Sequence, residues 1–536
     1  NRLTALCFVT AGMIWGDGPA RAGEAKQAPD RPAQELQVFI LAGQSNMQGH
    51  ATFSTLAYMP QPIKEMSWEK FKSETDGLRR RFNLNDEMQM QHYEDYKKRM
   101  SDPELLQRDK ELAAIFTPGV TDEKMAKFAF EEARPLYQKE AGKEGGTVSD
   151  GVLAMARGLE QRMGTPVARN THIAAFGGLE GFSWRSKPGV DDRRQHGLLS
   201  IGYGAQLQKF GLEYPFGIQL EKKLDQPILI IKVSWGGRTL NYNFRPPSAG
   251  EYQMTGAEKK RMEGWKKSQE RYQTYIEGGG TDEELEAKWA EFRKRRQKEK
   301  EFGGELRKIE DKTEREKRSK EHQTRVWALD KEEREMVPLA KPMPDHTNAG
   351  GDWRLMDGYV KEVLEDLGKY HPDYDEAAGH KVAGAIWFQG FNDQLDRDCS
   401  DNYAENMVHF VQDMRVLADN PKLPFVIGVM GMSGMPFESN QNAVSNAQRK
   451  AGTDERIKDH TALVESWPYT TPELAVFLEE RSVKQGKPGA TPEERGKAEH
   501  EWQLRGSNAG YHYLGSGRFF IRFGDAIADA MHELIQ

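Results

Sequence analysis

One stretch of this 536-residue sequence decides its fold: Val38-Phe39-Ile40-Leu41-Ala42-Gly43-Gln44-Ser45-Asn46-Met47-Gln48-Gly49. An apolar run of strand-forming residues ends at Gly43, and Ser45 follows two residues later. Open α/β sheets place their active sites at the carboxyl ends of parallel strands. The stretch therefore predicts a strand of such a sheet with a candidate nucleophile, Ser45, at its end. A buried strand that ends in a polar turn is the alternative, because apolar runs of this length are common.

Similar apolar runs recur along the chain, and helical patterns separate them. Strands that alternate with helices imply crossover connections and a parallel sheet. Both faces of that sheet should be covered by helices, because the runs are continuously apolar rather than alternating. The sequence thus predicts an α/β fold. The runs are 38–43, 172–176, 228–235, 383–389, 425–431 and 461–465, and the helical patterns include 152–163, 354–368 and 403–418.

Two segments, 62–147 and 250–340, are dense in Lys, Glu and Arg and do not follow this alternation. Their sparse apolar residues have helical spacing, so we expect two charged helical insertions. They either wall the active site or form charged helices on the surface. The net charge of −7 and the pI of about 6.1 indicate no general attraction to nucleic acid or anionic membranes. The apolar stripes are Met262, Trp265, Tyr272 and Ile276, then Leu285, Trp289 and Phe292.

The N-terminal residues have the pattern of a secretory signal peptide. Arg2 precedes an apolar run over residues 3–15, and Ala20-Arg21-Ala22 has the form of a cleavage site. We therefore expect a signal peptide over residues 1–22, a polar linker over 23–35, and a secreted or periplasmic protein without a membrane span. Cys399 would be the one cysteine left after cleavage, so no internal disulfide is expected.

Three further blocks carry residue types suited to catalysis. The run 230–235 ends in Gly236-Gly237, where a close backbone could offer an N–H to a ligand. The run 386–388 leads into Gln389-Gly390-Phe391-Asn392-Asp393, whose amide side chains could donate to an oxyanion. The last block is Gly510-Tyr511-His512-Tyr513-Leu514-Gly515, which precedes a helical pattern from Gly517 to Met531 and supplies a candidate base, His512.

Taken in order, these blocks resemble the SGNH, or GDSL-like, hydrolases, and most closely their sialate O-acetylesterase and plant-type carbohydrate esterase branch. Gly43-Gln44-Ser45-Asn46-Met47 is similar to the family's first block, and Gly390-Phe391-Asn392-Asp393 fits its Gly-x-Asn-Asp pattern. The resemblance spans residues 36–60, 150–250 and 345–536. It implies a three-layer α/β/α sandwich with a parallel, flavodoxin-like sheet, built from residues 36–61, 148–249 and 341–536.

The resemblance also implies roles for individual residues. Ser45 would be the nucleophile and His512 its base. The oxyanion hole would consist of the Ser45 amide, an amide of Gly236 or Gly237, and the side chain of Asn392 or Gln389. His50, close to Ser45 in sequence, is the competing base, although it matches no family position.

The sequence departs from the family at Ala509, where an aspartate usually stands three residues before the histidine. Removal of the group behind a catalytic histidine costs roughly 10⁴-fold in serine triads, so a replacement is expected. Asp393 is the first candidate for the acid, and a backbone carbonyl near residues 508–510 is the second. Asn508 could also orient the ring, but without charge.

The expected function is that of an exported serine esterase that removes O-acetyl groups from a carbohydrate through an acetyl-serine intermediate. Its substrate would be a sialic acid or an acetylated polysaccharide. The alternatives are a non-catalytic carbohydrate-binding or scaffold protein, and an O-acetyltransferase on the same fold. No cofactor or metal is expected, because no ligand spacing or phosphate loop appears. The candidate substrate-binding residues are Gln44, Trp184, Arg185 and Trp235.

Overall fold

A computed structural model describes the chain in eleven pieces, and every structural statement below concerns them. The predicted signal peptide, the predicted helix 152–163 and the candidate residues Trp184 and Arg185 lie outside these pieces. The described residues are 34–60, 67–74, 85–119, 164–177, 193–206, 208–306, 309, 311–344, 346–431, 442–470 and 490–536.

Seven strands form one sheet within the described pieces, and all neighbouring pairs but one are parallel. The strands are β1 (Leu36–Gly43), β3 (Thr171–Gly177), β4 (Arg193–Leu198), β6 (Ile228–Ser234), β7 (His380–Phe388), β8 (Phe425–Val429) and β9 (Thr461–Glu465). Their order is β4-β3-β6-β1-β7-β8-β9, with β4 antiparallel to β3. Two short strands, β2 (Ala51–Thr52) and β5 (Lys209–Phe210), form a separate antiparallel pair.

The predicted mostly parallel α/β fold is confirmed. Taken alone, β1, β6, β7, β8 and β9 have the order 2-1-3-4-5, which is the flavodoxin-like arrangement. In such a sheet ligands bind where the strand order reverses, here beside the carboxyl end of β1. The sequence did not predict β4, because Arg193-Arg194-Gln195-His196-Gly197-Leu198 is a polar edge strand without an apolar run.

Helices cover both faces of the sheet. Alternate residues of a strand point to opposite faces, so Phe39 and Leu41 join one buried cluster while Val38 and Ile40 join the other. The helices are α1 (Ser45–Gln48), α2 (Trp68–Glu74), α3 (Asp86–Ser101), α4 (Pro103–Phe116), α5 (Glu213–Lys223), α6 (Gly256–Glu277), α7 (Asp282–Glu305), α8 (Lys312–Glu335), α9 (Gly351–Glu365), α10 (Leu367–Tyr370), α11 (Arg397–Leu417), α12 (Ala443–Gly452), α13 (Pro492–Gln503) and α14 (Gly517–Ile535).

The first cluster contains apolar residues of α5 and α14, and the second contains residues of α9, α11 and α12. Each face therefore buries the apolar side of at least two helices, which gives the three-layer architecture. Short 3₁₀ segments lie at Phe53–Tyr58, Pro247–Ala249, Asp393–Leu395, Trp467–Tyr469 and Gly510–Gly515. No helix of the described residues is both long and apolar enough to cross a membrane.

The charged segment between β6 and β7 contains the three long helices α6, α7 and α8. Thr255 and Thr281 form capping boxes with Glu258 and Glu284, and Asp311 caps α8. Helix α7 buries Leu285 and Phe292, whereas all other residues of α6 and α7 are exposed or half-exposed. Most residues of this segment therefore face water, as its charge-rich sequence indicates.

Candidate active site

Ser45 lies immediately beyond β1, at the start of the one-turn helix α1. The strand end is closely packed, because a Cβ atom on Gly43 would lie 2.3 Å from the Phe388 carbonyl oxygen of β7. Glycine at this position lets β1 and β7 come together just before the serine. Ser45 therefore sits at the carboxyl edge of the sheet, between the ends of β6 and β7.

A buried ion pair connects the turn after Ser45 to the sheet. Lys232 of β6 and Glu213 of α5 meet at 2.6 Å, and both side chains are almost fully buried. The Lys232 ammonium also donates to the carbonyls of Gln48 and Tyr203, at 2.9 Å each. A buried charge requires such partners, because its desolvation is costly. The pair thus ties the end of α1 to the sheet.

His512 lies in the 3₁₀ segment Gly510–Gly515, which contacts α1. The Asn46 side chain of α1 donates to the Tyr511 carbonyl at 3.1 Å, which connects the nucleophile turn to this segment. The next residues, Tyr513 and Leu514, both have positive φ angles of 49° and 59°. Such strained backbone persists where the surroundings dictate it. Among the described residues, no hydrogen bond joins Ser45 to His512 directly.

The contacts of Tyr513 explain why this backbone is stable. Its ring stacks on Phe519 at 3.8 Å between centroids, and its hydroxyl bonds to Ser466 at 2.7 Å and receives the Gly431 amide at 3.1 Å. A buried aromatic residue with a satisfied hydroxyl is a strong anchor. The segment that carries His512 is therefore fixed against the core.

The group behind His512 is Asn508. The imidazole Nδ1 lies 2.8 Å from Asn508 Oδ1, and the backbone N–H of Ala509 donates to the same oxygen at 2.8 Å. A backbone amide can only donate, so the atom that it contacts must be the oxygen of the Asn508 amide. His512 Nδ1 then carries the proton, and Nε2 keeps its lone pair. This is the tautomer that a general base needs.

Asp393, the first sequence candidate for the acid, is engaged elsewhere. Its carboxylate accepts the backbone N–H groups of Leu240 and Asn241, at 3.0 Å each, and the Gln389 side chain at 2.6 Å. Complete burial raises its pKa to about 6, against the lowering effect of these hydrogen bonds. The Asp393 carboxylate thus contacts the loop that follows β6, and the side chain that contacts His512 Nδ1 is that of Asn508.

Gln389 belongs to the same buried network. Its Nε2 donates to Asp393, to the Arg238 carbonyl at 2.8 Å and to Gln44 Oε1 at 3.2 Å. A side-chain amide has two N–H groups, so none is left for an oxyanion. Gln44 is fully buried, and this places it in the network rather than on a substrate-facing surface. The structure therefore places Gln389, a sequence candidate for the oxyanion hole, and Gln44, a candidate substrate contact, in one buried polar network.

Asn392 and the glycine turn remain available as donors. The Asn392 side chain makes no hydrogen bond within the part of the chain that the structure describes. A Cβ atom on Gly236 would lie 3.8 Å from Ser45 Cβ, so this glycine faces the candidate nucleophile. Gly237 has φ of 74°, a conformation that favours glycine. The glycine turn therefore lies next to Ser45.

The aromatic residues around the site have two different environments. Trp235 is 1% exposed and packs edge-on against Phe176, so it belongs to the core and cannot stack on a sugar as the sequence suggested. Tyr511, in contrast, is 44% exposed, and its ring lies 5.3 Å from that of Phe391. In the sequence, Tyr511 directly precedes His512 and Phe391 directly precedes Asn392. They form an aromatic pair beside the site that the sequence analysis did not single out.

His50 also reaches the site, where its ring stacks on that of His512. Burial and the nearby Lys209 lower the pKa of His512 to about 3. Burial, the charge of His512 and two lysines hold the pKa of His50 well below its usual range. Both imidazoles are therefore neutral at physiological pH. No group of three His, Cys, Asp or Glu side chains in the described ranges is placed to hold a metal ion.

The fold and this arrangement define an α/β sandwich with a candidate serine, a candidate histidine and a glycine turn at one sheet edge. Residues 368–482, about a fifth of the chain, match the family model described as carbohydrate esterase, sialic acid-specific acetylesterase. That match agrees with the branch that the sequence motifs resemble. It includes β7, Gln389, Asn392 and Asp393 but not Ser45 or His512. No curated protein and no solved structure matches the chain.

Proposed function

We propose that this protein is an exported serine esterase that removes O-acetyl groups from a carbohydrate. The observation that carries the proposal is the contact of His512 Nδ1 with Asn508 Oδ1, an oxygen that also accepts the Ala509 N–H. From this contact we infer that Nδ1 carries the proton and that Nε2 is the basic nitrogen. The family match over residues 368–482 supports a carbohydrate ester as substrate. The apolar N-terminal pattern supports export, which mass analysis of the mature N-terminus would test.

The reaction would proceed in two balanced steps. Ser45 Oγ attacks the acetyl carbonyl carbon while its proton passes to His512 Nε2, and the oxyanion accepts N–H groups from Ser45, the Gly236–Gly237 turn and Asn392. The bond to the sugar oxygen breaks, and His512 returns the proton to that oxygen. Water then gives a proton to His512 while its oxygen attacks the acetyl-serine carbonyl. The bond to Ser45 Oγ breaks, His512 returns the proton to that oxygen, and the acetic acid that leaves ionises to acetate.

The test is acetate release from acetylated sialic acid and from acetylated polysaccharides, with free acceptor sugars added in parallel. Acetate without acetylated acceptor supports the esterase, whereas transfer to the acceptor would make the protein an O-acetyltransferase. Sugar binding without either product would indicate a non-catalytic carbohydrate-binding protein.

The esterase activity should persist at acidic pH. Because burial and Lys209 lower the pKa of His512 to about 3, the imidazole remains unprotonated, and competent, well below its ordinary value of 6.5. We expect kcat/KM at pH 5 to stay within about twofold of its value at pH 7.5. Initial rates with a small acetyl ester across this range give the profile. An acid limb with its midpoint near 6.5 would contradict the expectation.

The aromatic pair of exposed Tyr511 and half-buried Phe391 should select for the sugar. Aromatic faces offer large, rigid contact area to a ligand, and this pair lies beside His512. We expect Tyr511→Ala to lower kcat/KM for an acetylated oligosaccharide about 10-fold more than kcat/KM for p-nitrophenyl acetate. Trp327→Ala, which removes a 64% exposed aromatic side chain from α8, is the matched control. Equal losses on both esters would contradict a role in sugar recognition.

A further inference from the structure

Two imidazole rings stack face to face at the candidate site. The centroids of His50 and His512 are 3.8 Å apart, and their planes differ by 7°. His50 follows the nucleophile turn, whereas His512 comes from the C-terminal part of the chain. The stack therefore brings together the two segments that carry the proposed nucleophile and the proposed base.

A single amide bridges both rings. Asn508 Oδ1 accepts from His512 Nδ1, and Asn508 Nδ2 lies 3.3 Å from His50 Nδ1. The Ala509 N–H identifies the oxygen, so the other atom is the NH₂ group, which only donates. His50 Nδ1 must then be an acceptor. The two rings are held as opposite tautomers, with the proton on Nδ1 of His512 and on Nε2 of His50.

His50 is itself fixed and neutral. Its side chain is 3% exposed, and its carbonyl accepts the Ser507 hydroxyl at 3.1 Å. The charged groups that act on its ring are Lys209, Lys232 and protonated His512, and all of them, after burial, disfavour its protonation. Lys232 is itself paired with the Glu213 carboxylate. His50 therefore presents a neutral π face to the His512 ring.

We propose that His50 is a positioning residue of the proposed esterase, which holds the His512 ring in its plane by stacking. No carboxylate contacts His512 in the described structure, so the stacked ring is also the group that meets the imidazolium as it forms. Aromatic faces attract cations in this way. This inference rests on the proposed esterase function.

Three variants separate stacking from hydrogen bonding. His50→Ala removes both, His50→Phe keeps a neutral flat ring, and His50→Asn keeps an acceptor near the Nδ1 position. We expect His50→Ala and His50→Asn to lower kcat on p-nitrophenyl acetate about 10- to 100-fold with little change in KM. His50→Phe should return to within about fivefold of the wild type. A cooperative thermal unfolding transition in each variant would show that the variant is folded.

A measurement that needs no activity completes the test. The ¹⁵N shifts of the His512 ring report its tautomer, and we expect the Nδ1–H form alone in the wild type and in His50→Phe. A mixture of tautomers should appear in His50→Ala and His50→Asn, because the ring can then turn. Unchanged kcat and tautomer in folded His50→Ala, or equal recovery by Asn and Phe, would overturn the proposal. Absence of esterase activity in the wild type would overturn the proposed function alone, since the ring shifts would still report the stacking.

Discussion

Ser45→Ala should lower kcat for acetyl-ester hydrolysis by at least about 10⁴-fold, since nucleophile removal in serine hydrolases costs up to roughly 10⁶-fold. The hydroxyl is the atom that would form the acetyl-enzyme, and no neighbouring group in the described structure can replace it. The change removes one oxygen from a largely buried side chain, so the fold should be retained. Acetate release under saturating substrate, with electrospray mass measurement of trapped acetyl-enzyme, gives the result.

Ser54→Ala is the matched control for this experiment. Ser54 lies in the 3₁₀ segment Phe53–Tyr58, and its hydroxyl donates to the Gln503 carbonyl at 2.7 Å. Its activity should stay within about threefold of the wild type. Equal activity of Ser45→Ala and the wild type would exclude Ser45 as the nucleophile. Inactivity of both, with sugar binding retained, would instead favour the non-catalytic reading.

Lys232→Met should destabilise the protein by about 3–5 kcal/mol, because it leaves the fully buried carboxylate of Glu213 without its cationic partner. The same change removes the ammonium group that donates to the Gln48 and Tyr203 carbonyls beside the nucleophile turn, so the activity should fall as well. Urea unfolding measures the stability, and a small acetyl ester measures the activity. A loss below about 1 kcal/mol would show that the pair is better hydrated than its burial indicates.

The double variant Lys232→Met with Glu213→Gln separates stability from positioning. It removes both charges, and the glutamine oxygen can still accept the Gly211 N–H that now binds Glu213 at 2.8 Å. Replacement of a whole buried pair is often close to neutral, so most of the lost stability should return. Activity should stay low, because the Gln48 carbonyl still lacks its donor. Recovery of both stability and activity would mean that Lys232 contributes only by neutralising the charge of Glu213.

The sheet was predictable because its strands carry local signals. Strands buried on both faces are continuously apolar, so the predicted runs agree with the six parallel strands to within a few residues. Ser45 and the Gly236–Gly237 turn followed from the same runs, since both come directly after a strand. The edge strand β4 lacks such a run and was missed. Its pairing with β3 depends on the neighbouring strand rather than on its own composition.

Side-chain partners at the site were not predictable from these signals. Asp393 stands at the right strand end, yet its carboxylate turns toward Leu240 and Asn241. Gln389 has the right chemistry for an oxyanion donor, but its N–H groups are taken by buried acceptors. In both cases the direction of the side chain decides the role, and direction depends on packing against distant segments.

The sequence by itself determined the α/β class, the position of the candidate serine at a strand end and the late histidine, because strand periodicity and chain order are local properties. Tertiary structure alone decided that Asn508 stands behind His512, that Asp393 shapes a loop instead, and that His50 stacks on the base. The contact between Asn508 and His50 joins residues 458 positions apart, and Asp393 accepts N–H groups from residues 152 and 153 positions away. Asn508 is only four residues from His512, but its amide group contacts both histidine rings. Only the folded chain, in which each buried polar group must find a partner, selects among them.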